Sequence, residues 1–181
     1  ETEGGAVVIS NVNKTSDGKW RHMGKVVHGS VCVSAKATMT VNRQTRLATE
    51  RNHSATHLLQ KALRTVLGEH VHQAGSSVTT ERLRFDFNHM QALSKEELAE
   101  VEKIVNKAIV HDYAVNTQVL PIEEAKKLGA MALFGEKYGD NVRVVEMGDY
   151  SLEFCGGTHL TNTSQAGLFK ILSETGVAAG T

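Results

Sequence analysis

From Arg46 to Leu67 the apolar residues Leu47, Ala55, Leu58, Leu59, Ala62, Leu63, Val66 and Leu67 fall on one side of a helical period. That spacing lays a broad apolar stripe along a helix, and Gly68 supplies its stop. Before Asn42 the rhythm is different. AVVIS (6–10), KVVHGSVCV (25–33) and ATMTV (37–41) are short β-branched runs punctuated by the turn residues of TSDGK (15–19), and they predict strands. After Gly68, VHQAGSSVTTERLRFDF (71–87) alternates like a hairpin with Leu83, Phe85 and Phe87 on one face. SKEELAEVEKIVNKAIVHD (94–112) returns to the helical period, opened by a capping box of Ser94 with Glu97. A strand over 113–120 follows, then a short helix with Pro121 in its first turn and Gly129 as its stop. A strand pair over 141–148 and 150–154 and a closing strand over 167–175 complete the pattern. Together these elements predict an α+β fold. Residues 1–42 form a small β-rich, partial-barrel piece, and residues 43–181 a two-layer α/β sandwich with a mostly antiparallel sheet.

Composition narrows the function classes more than the fold. The chain has 181 residues, 40% hydrophobic and 22% charged, enough for one domain or two small ones. Its 20 basic and 20 acidic residues cancel. A chain that grips nucleic acid unaided is usually basic, so RNA contact is expected to be local and weak in this stretch alone. Arg43, Arg46, Arg51, Arg82 and Arg84 are the basic side chains available for it. No apolar run is long enough for a membrane span. Cys32 and Cys155 lie far apart and build no disulfide framework, as expected of a cytoplasmic protein. A start at Glu1 and an end at Ala-Ala-Gly-Thr suggest a piece of a longer chain.

The candidate chemistry lies in two short motifs. His53 and His57 stand four apart within the first predicted helix, on one face, where two imidazoles can close on one metal ion. Two ligands hold a metal poorly. EFCGGTH (153–159) offers two more, the Cys155 thiolate and the His159 imidazole, with Gly156 and Gly157 letting the backbone turn to aim both inward. Three histidines and one cysteine suit Zn²⁺ by softness and geometry. His70 and His72 form a rival pair at strand spacing, read as surface or outer-layer groups. His22, His28, His89 and His111 stand without partners and read as structural, and Cys32 within VCV reads as a small buried hydrophobe.

HSATHLL followed about a hundred residues later by CGGTH resembles the editing domain of alanyl-tRNA synthetases, and the freestanding alanyl-tRNA editing proteins related to it. QAGSSV, LRFDF and RVVEMGDYSLEFCGGTHL extend the resemblance over roughly residues 45–175. The editing domain of threonyl-tRNA synthetases shares the frame of two paired motifs. One departure is visible. The family usually carries a glycine-rich GGQ loop before the histidine helix, and only EGG at 3–5 stands here, so the chain is expected to begin just after that loop.

The resemblance implies a hydrolase that cleaves the ester of tRNA(Ala) wrongly charged with serine or glycine, working beside the remainder of a synthetase chain. It implies metal ligation by His53, His57, Cys155 and His159. It places Gln73 in the pocket beside the reaction centre, with Arg84 and Asp86 as companions. Such a second site has a physical purpose. An alanine pocket gives little penalty for an added hydroxyl, so serine must be recognised elsewhere. Gln73, Ser76, Ser77 and Thr158 are the polar candidates for reading that hydroxyl. Two other classes stay open. One is a structural zinc module that docks RNA or protein. The other is a zinc peptidase or amidase, disfavoured because Ser54 stands where HExxH has glutamate.

Overall fold

The computed structural model describes residues 1–132 and 138–176. These fall into two compact units, Glu1–Asn42 and Arg43–Thr181. The architecture is α+β, with small antiparallel sheets and no closed barrel among the described residues.

The first unit is a hairpin. Strand β1 (Gly5–Lys14) pairs antiparallel with β2 (Trp20–Gly29), and Gly18 takes a positive φ of 82° in the turn between them. The expected strands over 25–33 and 37–41 are not found as such. β2 begins earlier, at Trp20, and ends at Gly29, whose φ of 61° turns the chain out of strand geometry. Beyond it, pairing is confined to an isolated bridge between Thr2 and Ala37. Cys32 is exposed rather than buried, because its neighbours Val31 and Val33 are exposed too.

The second unit carries the core. Helix α1 (Arg43–Leu67) ends at Gly68, with φ of 115°, and packs on α2 (Lys95–His111). α2 has the capping box expected of it: Ser94 accepts from the Glu97 N–H, and Glu97 accepts from the Ser94 N–H. Leu58, Leu59, Ala62 and Leu63 of α1 meet Val101, Val105, Ala108 and Ile109 of α2 in one apolar cluster. Strands β3 (Gln73–Val78) and β4 (Leu83–Phe87) form the expected hairpin, and Leu83, Phe85 and Phe87 pack against that cluster.

On the sheet, β5 (Val115–Pro121), β6 (Asn141–Met147) and β7 (Ser151–Phe154) lie in the order β5-β6-β7, all antiparallel, with α3 (Ile122–Lys127) after β5. Central β6 is apolar on both faces. Val142 and Val144 join Ala125 and Phe154, whereas Val145 and Met147 join the α1–α2 cluster. Register then fixes β7: Ser151 opposes Met147 and Glu153 opposes Val145, so both polar side chains point to the helix side. The closing strand expected over 167–175 is absent. Phe169 and Ile171 give their main-chain groups to Asn106 and Glu102 of α2 instead of to a neighbouring strand.

Candidate metal centre

α1 brings His53 and His57 to the end of β7, where Cys155 and His159 follow on a segment without regular structure. The ligand atoms of these four residues lie within 4.8 Å of one another, and such a group can hold a metal ion. Cys155 Sγ stands 3.5 Å from His53 Nε2 and 3.3 Å from His159 Nε2. Ligands bound at about 2.0–2.3 Å around a tetrahedral ion lie roughly 3.3–3.6 Å apart, so these separations fit.

The histidines are oriented from behind. His57 Nδ1 donates to Glu153 Oε2 at 2.6 Å, and Glu153 Oε1 accepts from Ser151 Oγ at 3.0 Å. His57 Nε2 is buried and finds no hydrogen-bond partner among the described residues, as a nitrogen reserved for an ion would be. His53 Nδ1 donates to the Thr158 carbonyl at 3.0 Å, and His159 Nδ1 lies 3.2 Å from Ser54 Oγ. All three rings thus turn Nε2 inward. Thr158 donates its hydroxyl to Glu50 Oε1 at 2.6 Å, and Arg143 Nη1 donates to the carbonyls of Cys155 at 2.8 Å and Gly157 at 2.6 Å.

The two glycines play different parts from the expected tight turn. Neither has a positive φ. Gly157 lies against the His53 ring, and a Cβ there would sit 2.0 Å from His53 Cε1. A Cβ on Gly156 would meet nothing within 4 Å.

Electrostatics match the donor set. Burial pushes the Cys155 thiol up, but the imidazoles of His159, His53 and His57 around the sulfur outweigh it and hold it down at about 3, which favours the thiolate. Burial pushes His57 down, yet the charge of Glu153 and the bond to Cys155 raise it to about 10. Burial, joined by the charges of His57 and His53, keeps His159 below its ordinary value despite its bond to Cys155.

Thr158 is therefore brought to the quartet. Gln73, Arg84 and Asp86 lie on the β3–β4 hairpin, where Gln73 Nε2 donates to Ser76 Oγ at 3.1 Å and Arg84 pairs with Asp86 at 3.0 Å. No hydrogen bond among the described residues joins those three to the quartet. Arg84 and Asp86 line a cavity of about 860 Å³ together with Arg51, Ala55, Leu59 and Phe87. By helical rotation Ala55 and Leu59 face away from His53 and His57, so α1 stands between cavity and quartet. His89 and His111, expected to stand alone, do not. His89 stacks on His70 at 5.2 Å, and the His111 ring lies tilted against Tyr113 at 4.1 Å.

Glu153, Arg143, Glu50 and Ser54 are site residues that motif spacing misses. Glu153 had a usable signal, since strand alternation places it beside Val145, on the face toward α1. Arg143, two before Val145 on the neighbouring strand, falls on that same face by the same alternation.

Residues 142–181 match the family described as the threonyl and alanyl tRNA synthetase second additional domain. Over 172 residues the chain is 59% identical to alanine--tRNA ligase 1 of Lachnoclostridium phytofermentans, and 58% identical to the alanine--tRNA ligase of Clostridioides difficile. Each of these matches covers 95% of this chain and 20% of the relative. Against the Bacillus subtilis alanine--tRNA ligase it is 53% identical over 180 residues, 99% of this chain and 20% of the relative. The resemblance to alanyl-tRNA synthetases is borne out. The chain spans about a fifth of the length of the alanine--tRNA ligases it matches. Its matched synthetase segment contains the whole quartet, and no helix of the described residues is long and apolar enough to cross a membrane.

Proposed function

We propose that this chain is the editing segment of a cytoplasmic alanine--tRNA ligase, and that it hydrolyses the ester joining serine or glycine to the acceptor end of tRNA(Ala). The observation that carries this reading is the quartet itself. Three imidazole Nε2 atoms and one thiolate converge, with Nδ1 partners already in place behind the rings. The donor set fits Zn²⁺, which would supply Lewis acidity for the ester carbonyl or for attacking water.

The chain's own residues do the rest. Glu153 holds the His57 proton on Nδ1, and the Thr158 carbonyl does the same for His53. Arg143 fixes the carbonyls on either side of Gly156 and so aims Cys155. Thr158 Oγ1, having spent its proton on Glu50, is left as an acceptor for a serine hydroxyl or an amino group. To Gln73 we assign orientation of the ester, with Arg84 and Asp86 contacting RNA beyond α1 from the quartet. Alanine lacks the hydroxyl that Thr158 accepts, so correctly charged tRNA gains less at this site than the seryl ester does, a contact that does not serve glycine.

Deacylation of Ser-tRNA(Ala), with Ala-tRNA(Ala) as control, tests the proposal. The parent chain is expected to release serine preferentially and Cys155→Ala to release almost none. Equal rates for the two proteins would refute a role for the quartet. A second reading is favoured by one feature: four protein ligands make a closed shell, typical of structural zinc. A chain that binds one zinc yet leaves Ser-tRNA(Ala) at the uncatalysed rate would establish that reading instead.

A further inference from the structure

A shell filled by four protein ligands leaves no position for water or an ester oxygen, so hydrolysis at this centre requires one of them to give way. The three imidazoles are not held alike. His57 donates from Nδ1 to the buried Glu153 carboxylate at 2.6 Å. A carboxylate at this position accepts, so a proton is fixed on Nδ1 and only Nε2 can offer a lone pair to a metal. His53 donates from Nδ1 to the Thr158 carbonyl at 3.0 Å, again a pure acceptor. Thr158 is pinned in turn by Glu50, and Gly157 closes on the His53 ring.

His159 is different. Its Nδ1 faces Ser54 Oγ at 3.2 Å, and a hydroxyl both donates and accepts. Ser54 Oγ also accepts the N–H of Leu160 at 3.1 Å, which leaves its own proton free to turn towards His159 Nδ1. When it does, the His159 proton sits on Nε2 and the imidazole cannot ligate. When Nδ1–H donates to Ser54, it can. His159 alone among the three passes between ligating and non-ligating tautomers with its hydrogen bond intact. The change takes one proton off Nδ1 and places one on Nε2, both exchanged with water, while the Ser54 hydroxyl turns from acceptor to donor.

We propose that His159 is the exchangeable member of the quartet, leaving to open one position while His53, His57 and Cys155 hold. The assignment rests on the hydrolytic reading for its purpose, but its test does not use tRNA. The probes are cobalt(II), a spectroscopic stand-in for zinc, and azide. His159→Ala is expected to bind one cobalt within about tenfold of the parent affinity, keep the thiolate-to-cobalt absorption and take up azide about tenfold more tightly than the parent. His53→Ala and His57→Ala are expected to lose about a hundredfold in cobalt affinity. A His159→Ala loss as large as that of His57→Ala, or azide uptake favoured instead by the His53 variant, would overturn the assignment.

The unaltered cobalt protein gives a second readout that survives any folding failure of the variants. Of the paramagnetically shifted imidazole N–H resonances, that of His159 is expected to exchange fastest with solvent. Equal persistence of the His159 and His57 signals would sink the idea. A chain that fulfils both expectations but leaves Ser-tRNA(Ala) intact would refute the hydrolytic reading and leave the ligand order standing.

Discussion

The two halves of the candidate metal centre are built by different means. His53 and His57 stand on α1, where the helical ladder and the packing of Leu58, Leu59 and Ala62 fix both rings' starting points at once. Cys155 and His159 stand on a segment without regular structure, fixed by side chains that reach in from elsewhere: Arg143, Glu50 and Ser54. A helix places ligands by periodicity, whereas an irregular segment needs a dedicated partner for each main-chain group. Among the residues that support the ligands, sensitivity to substitution should therefore concentrate around the loop half, with one exception on the helix side, the remote Glu153.

The sharpest way to break this contrast is Gly157→Ala. Its Cβ would sit 2.0 Å from the His53 ring, forcing the loop off the helix, so zinc affinity is expected to fall more than about a hundredfold in a competition titration. Retained affinity would mean that the loop half is pliable. Next in size is Glu153→Ala, which bares a buried His57. A fall of about 10–100-fold in zinc affinity is expected, with a loss of roughly 3–5 kcal/mol in denaturant unfolding of the metal-free chain. Unchanged unfolding would make Glu153 a bystander.

Acidity gives a third test. In the metal-free chain His57 is raised to about 10 while Cys155 is held at about 3, so between these values the thiolate is ready and the His57 proton must leave. Zinc affinity should therefore climb about tenfold per pH unit from neutrality towards 10, releasing one proton per metal from the helix half. A plateau already reached near pH 7 in calorimetry would contradict the His57–Glu153 pairing. Smaller still, Arg143→Met removes both carbonyl bonds of the loop. Zinc affinity should drop about tenfold, and stability by about 1.5–3 kcal/mol by thermal unfolding. Gly156→Ala closes the series, because an added methyl there touches nothing and affinity should change less than about twofold. A large loss would show that the segment needs glycine for its backbone.

Much of this was legible in the sequence. α1 and α2 declared themselves through apolar spacing and end signals, and β6 through its apolar run. The quartet was legible because paired spacings are rare in a chain with so few cysteines. What escaped depended on distant partners. Residues 167–175 look like a strand, but their main chain is met by Asn106 and Glu102, side chains more than sixty residues away. Cys32 sits in an apolar run that finds no core in its own unit. Gly157 was recognisable as necessary, though for a turn rather than for contact with His53, which no local pattern encodes.

His57 precedes Glu153 by 96 residues, and His53 precedes Thr158 by 105. On a ribosome adding about 5–20 residues per second, the helix half emerges roughly 5–20 s before its counterpart exists. Throughout that interval the nascent chain presents only two of the quartet's four ligands, a pair too weak to retain an ion. Capture of the proposed zinc would thereby be postponed until the sheet has closed on the helix. Occupancy of the centre then reports that synthesis and folding of this stretch are finished.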